Sequence, residues 1–501
     1  MKPSFNAKST LIMGALWTVG SRWAIKGIGF LNTVIMARLL VPEDYGVVAI
    51  AMLIVSFIQA LVDFGAANAL LRKDTVGRDE VDSAWTLRVL QSIAVGALLL
   101  TIAPLAADGF TEPRVQEVLF ALALCVMLHG FSNIGMTLAE KAFNFSLDFK
   151  LNVISKTLSV LATVSAGFWL GDYRALVIGI GTGYISGLVL SYWLHPYRPR
   201  WNTSKIAEIW AVTKWLMLAG LGTFLLRKSD EVLAARYGTT AEYGTYNVGA
   251  DLGSLPIGEL GPAMMRAFLP VLTSMQDDVR RTNDVVVKTL AAVNAITLPI
   301  GMGVAALAVP ITGLLLGPKW SDAAPFVAVF GMVGCVQFLM NPLAALLFMR
   351  GHTRVQNRVV WIEFGCFALL AFVLVPQMHL IGLAWARLFA SMLNALITVI
   401  TAKVCCGIRP MGVLGALWRP LSGACAMYAL VVQLGQHGPD GIAGVLTGVC
   451  LGALFYAAWL ASTWYFAGKP DGLESIALGF LKQRRAVKVD RVEAQSSMSA
   501  L

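Results

Sequence analysis

Arg22 and Lys26 sit one helical turn apart inside an apolar stretch, Arg227 and Lys228 are adjacent inside a second, and Arg387 stands in a third. Placing such a cation in mid-membrane costs about 2.5 to 3.5 kcal/mol, so intramembrane cations normally face a wet interior or a partner of opposite charge. The chemistry open to them is binding rather than bond-making, because Arg and Lys hold phosphate oxygens through charge-assisted hydrogen bonds. The internal alternative is pairing, and Arg227 with Asp230 one turn on has the spacing of a plain helical ion pair. Few acids remain for the other cations. Asp63, Asp251, Glu259 and Glu363 are the main ones in apolar segments, and Asp63 and Glu363 are candidate coupling or ion-pair partners. A cation-rich, acid-poor interior suits a ligand that carries phosphate.

Motifs for covalent catalysis do not accompany these residues. There is no GxxxxGK[ST], so ATP hydrolysis is not expected, and the five histidines form neither HExxH nor another paired metal spacing. His129 reads as a packed core histidine. The seven cysteines include no CxxC pair, so neither disulfides nor a cysteine metal site is expected. The expectation is a protein without cofactor or metal that is not an enzyme.

The elements that must position the cations follow from composition. The 501 residues are 57% hydrophobic and 14% charged, with a mean hydropathy of +0.70, and soluble domains carry about 25% charge. Apolar runs long enough to cross a hydrocarbon core recur from end to end, which predicts an all-α polytopic membrane protein with about fourteen spans. They fall at about 11–34, 47–69, 84–105, 115–136, 151–171, 174–194, 210–230, 245–268, 285–309, 324–348, 357–376, 379–402, 413–433 and 441–467. Lys2 and Lys8 precede a first segment that carries Arg22 and Lys26 and lacks a small-residue cleavage site, so it reads as a span and not a signal peptide.

The net charge of +10 is a topological signal. With the N-terminus in the cytoplasm, Arg78, Lys141, Lys150, Arg198, Arg200, Lys205, Arg280, Arg281, Arg350, Arg354, Arg358, Lys403, Arg409 and the basic tail all fall inside. Only Arg38, Arg114, Arg174, Arg236 and Lys319 fall outside. Such a distribution excludes nucleic acid as partner and leaves anionic inner-leaflet lipid. It also predicts that both termini are cytoplasmic.

An internal repeat organises the chain. ARLLVPEDYG (Ala37–Gly46) aligns without a gap on ARYGTTAEYG (Ala235–Gly244), each in the external loop after an odd-numbered span. The copies share one orientation, so the pseudo-two-fold axis runs along the membrane normal. The expected layout is two pseudo-symmetric lobes of about six helices each, residues 1–200 and 201–405, facing a central cavity. An added helix pair, 406–467, and a basic, disordered tail, 468–501, complete it.

Other span residues have plainer readings. Arg88, Lys156, Lys214, Arg266, Lys288 and Arg419 lie near cytoplasmic helix ends, where a long stem reaches the headgroups. Glycines at one-turn spacing, Gly179, Gly183 and Gly187, Gly249 and Gly253, and Gly444, Gly448 and Gly452, predict close helix contacts. Pro256, Pro262, Pro299 and Pro342 predict packing kinks.

ARLLVPEDYG, VDFGAANALLRK (Val62–Lys73) and AEYGTYNVGADLGSLPIGELGPAMMRAFLPVLTSMQDD (Ala241–Asp278) carry a family pattern. The chain resembles the Wzx-type polysaccharide transporter branch of the multidrug/oligosaccharidyl-lipid/polysaccharide (MOP) flippases, especially the colanic-acid exporter type. The resemblance covers about residues 10 to 465. It implies the MOP fold, alternating access, and movement of an undecaprenyl-pyrophosphate-linked oligosaccharide across the bacterial plasma membrane for O-antigen or exopolysaccharide synthesis. A polysaccharide polymerase and a chain-length regulator are the implied protein partners. Basic residues on the first helix of such flippases bind the pyrophosphate, a role that falls here on Arg22 and Lys26. Arg227 and Lys228 fit it less closely, since Gly220 and Phe224 are the repeat equivalents of that pair. The competing readings are a cation-coupled multidrug antiporter, which would present buried carboxylates, and a scaffold for glycan assembly, in which mid-span cations are dispensable.

Overall fold

The computed structural model describes residues 7–62, 70, 76–273, 278–435 and 441–468. Asp63, most of Val62–Lys73 and the tail beyond Gly468 lie outside the described residues. Among those described there is no strand. The helices are α1 (Ala7–Leu39), α2 (Pro42–Val62), α3 (Arg78–Gly109), α4 (Arg114–Gly130), α5 (Gly135–Lys141), α6 (Phe145–Leu170), α7 (Arg174–Leu194), α8 (Ile206–Tyr237) and α9 (Thr240–Thr273). They continue with α10 (Val279–Ala306), α11 (Ala308–Leu315), α12 (Ala324–Leu339), α13 (Asn341–Met349), α14 (Thr353–Cys406), α15 (Pro410–Gly435) and α16 (Gly441–Phe466).

Eight of the described helices are long and apolar enough to cross a membrane, or nine if α4 and α5, bent by 61° at their junction, make one span. The described stretches of the segments expected to span are helical apart from short breaks, at 131–134, Leu307 and Met340. The apolar measure nevertheless stops short of the expected number, because α1, α8, α9 and α15 do not qualify and α14 counts once for two expected spans. The first two carry the mid-helix cations, and ionisable residues lower a helix's mean hydropathy. Segments 357–376 and 379–402 form one helical run, α14, broken at His379, whose φ of 51° is not helical.

The chain divides into two compact units, Met1–Asn247 with Leu315–Trp320, and Val248–Leu314 with Ser321–Leu501. Within the first, the repeat explains itself. In copy one the Asp44 carboxylate accepts the Val41 N–H at 3.2 Å at the start of α2. In copy two Glu242 accepts the Thr239 N–H at 2.8 Å and donates its own N–H to the Thr239 hydroxyl at 3.2 Å at the start of α9. The acid before each Tyr-Gly pair is therefore the residue that reaches back to satisfy an orphan amide at a helix N-terminus. The glycines have a reciprocal role. A methyl built on Gly46 would overlap the Thr240 carbonyl, and one built on Gly244 would overlap the Pro42 carbonyl. Equivalent positions of the two copies thus press on each other across a local two-fold relation. Trp320, fully buried, donates its indole N–H to the Ala37 carbonyl at 2.8 Å and stands edge-on to Tyr45 at 5.1 Å.

At the other end of this unit the connector after α7 is fastened to neighbouring helix ends. The Asn133 amide donates to the carbonyls of His195 at 3.0 Å and Tyr197 at 2.8 Å. Tyr197 donates its hydroxyl to Asp82 at 2.7 Å. Asp82 also accepts the Arg200 N–H at 3.1 Å. The expected glycine contacts occur: Gly179 and Gly183 lie against Thr163 and Ser159 of α6, and Gly249 and Gly253 against α12. In the second unit the core joins Phe268, Leu272, Val286, Leu290 and Leu343. Pro342 there begins α13 after a break at Met340.

Candidate functional site

Helices α1 and α6 run side by side in the same direction, since their contacts advance together along both. Trp17 meets Phe149 at 4.9 Å near one end, and Met36 meets Gly167 near the other. Between them, Gly29 has no side chain, and the Lys156 stem fills that space, its Cε 3.6 Å from where a Cβ would stand. Lys156 is thereby brought close enough to Lys26 for the two like charges to repel. The helix start at Phe145 puts Lys156 about three turns inside α6, roughly 16 Å along its axis at 1.5 Å per residue. Lys156, expected as a headgroup anchor, thus stands against α1 beside Lys26. No sequence signal short of knowing the α1–α6 register could have found it.

Arg22 and Lys26 are both exposed on α1, and Arg22 makes no hydrogen bond or ion pair among the described residues. Nearby in sequence, Asn32 Oδ1 and Ser155 Oγ are buried without a hydrogen-bond partner among the described residues. Buried polar atoms normally find partners, so these two stand out as unused hydrogen-bonding capacity.

The second cationic helix is arranged differently. In α8, Lys228 pairs with Glu231, an acid the sequence reading passed over. Asp230 is buried and accepts the Tyr246 hydroxyl at 3.1 Å, so the expected Arg227–Asp230 pair is not formed. A phenol on the next helix reaches that carboxylate instead. Arg227 is exposed, while Phe224 is buried and meets Phe57 of α2 in a tilted contact at 5.4 Å.

In the second unit, the break at His379 folds α14 into an antiparallel hairpin. The Glu363 carboxylate accepts from the Asn394 amide and from the Ser391 hydroxyl, the latter at 3.4 Å. Thr398 donates to Asn394 Oδ1 at 3.0 Å. One turn along each arm, the Arg387 guanidinium lies 5.6 Å from the centre of the buried Phe367 ring, a cation–π contact. Glu363 and Arg387 share this hairpin, whereas Arg22, Lys26 and Lys156 share the α1–α6 pair.

Two expected anchors prove to be internal props. Arg88 donates to the Gly130 carbonyl at 3.3 Å and to that of Ser132, satisfying the bare C-terminal end of α4. Arg419 is buried and donates to the Leu460 carbonyl at 3.1 Å and the Thr463 hydroxyl at 3.4 Å. His129 meets Tyr184 in a tilted ring contact at 5.1 Å and lines a pocket of about 260 Å³ whose polar lining includes Gln59, Arg88 and Gln91. The side chains of Lys214 and Arg266 lie outside those described.

Comparison with known proteins places this geometry. The lipopolysaccharide biosynthesis protein WzxC of Escherichia coli K12 is 24% identical over 440 residues, covering 84% of this chain and 88% of WzxC. The succinoglycan biosynthesis transport protein ExoT of Rhizobium meliloti is 23% identical over 487 residues, covering 92% of this chain and 95% of ExoT. Among solved structures, the lipid II flippase MurJ in an inward closed conformation superposes with a TM-score of 0.67 at 14% identity, covering 91% of this chain and 99% of MurJ. An inward-facing multidrug resistance MATE transporter of the MOP superfamily superposes with a TM-score of 0.55 at 14% identity, covering 80% of this chain and 95% of that one. The chain therefore has the all-helical fold of that superfamily and is a multi-pass membrane protein. Residues 35–325, more than half its length, match the family described as polysaccharide biosynthesis protein, and the chain belongs to that family.

Proposed function

We propose that this protein is a flippase that moves undecaprenyl-pyrophosphate-linked oligosaccharide repeat units across the bacterial inner membrane by alternating access, for O-antigen or exopolysaccharide synthesis. The observation that carries the reading is the cation group of Arg22, Lys26 and Lys156, in which Arg22 has no described ion pair and Lys26 and Lys156 repel. Like charges gathered in a low-dielectric setting are costly until an anion arrives, and a diphosphate supplies that charge with oxygens to spare. The printed names of WzxC, ExoT and MurJ support transport of a lipid-linked glycan.

In this reading the diphosphate enters from the inner leaflet and binds Arg22 and Lys26 while the polyprenyl tail stays in lipid, and rocking of lobes 1–200 and 201–405 delivers the glycan outward. Residues 406–467 are an added pair and 468–501 a cytoplasmic tail, with both termini in the cytoplasm. Arg227 serves as an accessory cation, Lys228 and Arg387 lie on the cavity wall, and Asp63 and Glu363 are the coupling carboxylates. The protein performs no covalent step and hands its cargo to a polymerase and a chain-length regulator.

The test is export in a strain lacking the chromosomal copy. Arg22→Ala with Lys26→Ala should cut surface glycan about 10- to 100-fold at equal protein level, the scale of losing one or two charge-assisted hydrogen bonds. Lipid-linked repeat units should accumulate. Normal export by the double variant would overturn the assignment.

A further inference from the structure

A second positively charged cavity lies in the other compact unit. It has a volume of about 890 Å³ and is walled by α10 and α15. Arg280 and Lys288 line it from α10, Arg409 from just before α15 and Arg419 from its third turn, with Asp284 the acid among the residues lining it. The corner between them is built rigidly. Arg350 donates to the Cys406 carbonyl and to Asn283 Oδ1, each at 3.0 Å. Asn283 donates to the same carbonyl at 3.0 Å. Gly407, at a φ of 69°, then turns the chain out of α14 toward Arg409.

Between these charges the lining is Ala291, Ala295, Gly412, Gly415 and Ala416, a trough of small apolar residues. On α15 itself, Met411, Leu414 and Trp418 are exposed, so this wall also presents an apolar face to lipid. A cavity lined by both cations and small apolar residues fits an amphiphile. Its volume is that of a site for a ligand of some tens of atoms, far larger than a lone phosphate needs.

We infer that this cavity binds the headgroup of an acidic phospholipid of the inner leaflet, with phosphodiester oxygens on Arg280, Lys288 and Arg409 and the first acyl carbons in the small-residue trough. Basic pockets between transmembrane helices recognise such headgroups. Arg419, tied to Leu460 and Thr463, forms the buried end of the cationic wall. The ligand is a resident lipid and not the transported cargo, so its binding is measurable apart from transport.

The test uses the purified full-length chain, delipidated in detergent and titrated by native mass spectrometry with phosphatidylglycerol, phosphatidylethanolamine, a polyprenyl phosphate and inorganic phosphate. Phosphatidylglycerol should bind in preference to phosphatidylethanolamine, and Arg280→Gln with Arg409→Gln should weaken it roughly tenfold or more. The charge-keeping Arg280→Lys with Arg409→Lys should retain it. Asp284→Asn, which removes the lining acid, should tighten it, giving a reading in the opposite direction if the double variant folds poorly. Equal binding of both phospholipids, competition by millimolar inorganic phosphate, displacement by polyprenyl phosphate, or no response to any of these substitutions would each overturn the inference.

Discussion

Helices α1 and α8 lead into the two copies of the repeat, yet they carry charge in opposite ways. On α1 one mid-helix cation, Lys26, faces another cation, Lys156. On α8, Arg227 and Lys228 are followed by Asp230 and Glu231, and one cation is tied to one acid. What the helices keep in common is the loop that each enters, where an acid caps the next helix and a glycine yields room to the opposite copy. The two loops thus share a packing contact while the helices that enter them differ in their charge pairing.

The shared part can be broken most severely. Gly46→Val and Gly244→Val each drive a side chain into the other copy's backbone, and a clash that nothing flexible relieves costs about 3 kcal/mol or more. Both should abolish folded protein in fluorescence-detected size exclusion. A large loss at one glycine and none at the other would mean that the contact is not reciprocal.

The divergent part responds in transport rather than folding. Lys156→Gln should lower export about tenfold, the scale of one charge-assisted hydrogen bond, with the thermal midpoint unchanged or raised because a like-charge contact is removed. Lys156→Arg should restore it. Full activity of Lys156→Gln would return this residue to the role of headgroup anchor. On α8 the effect shrinks: Glu231→Gln removes a partly exposed ion pair worth about 0.2 to 1 kcal/mol, so export should stay within about twofold. A larger drop would make α8 the equal of α1.

Smallest is a pH effect at the connector. His195 is held below its ordinary value by burial first and by Arg198 second, and its Nδ1 accepts the Tyr197 N–H at 3.2 Å. The neutral ring therefore contributes stability that is whole above the unfolded value, about 6.5, and lost as pH falls toward the folded one. His195→Gln should flatten a decline in thermal midpoint of about a degree or two between pH 7 and 5. An unchanged slope would remove His195 as its source.

Much of this was legible in one sequence. Hydropathy placed the helices because lipid leaves a backbone few other ways to satisfy its polar groups, and the tandem Tyr-Gly motif marked two loops that do pack on each other. The pairings were less legible. Lys156 was hidden by distance from Gly29 along the chain, and Asp230 was lost to Tyr246, a partner on another helix that local spacing does not announce. Arg88 and Arg419 were misread for the same reason: the carbonyls that they satisfy belong to other helices.

The mutual contact of Gly46 and Gly244 has one more implication. Each copy offers the other the same patch, a helix start and a hollow, which is the form of an isologous interface between identical subunits. A single-copy ancestor would have needed no new surface to associate as a homodimer, and fusing two genes would have turned that association into an intramolecular one. Because the contact is reciprocal, a side chain added at either glycine meets the backbone of the other copy.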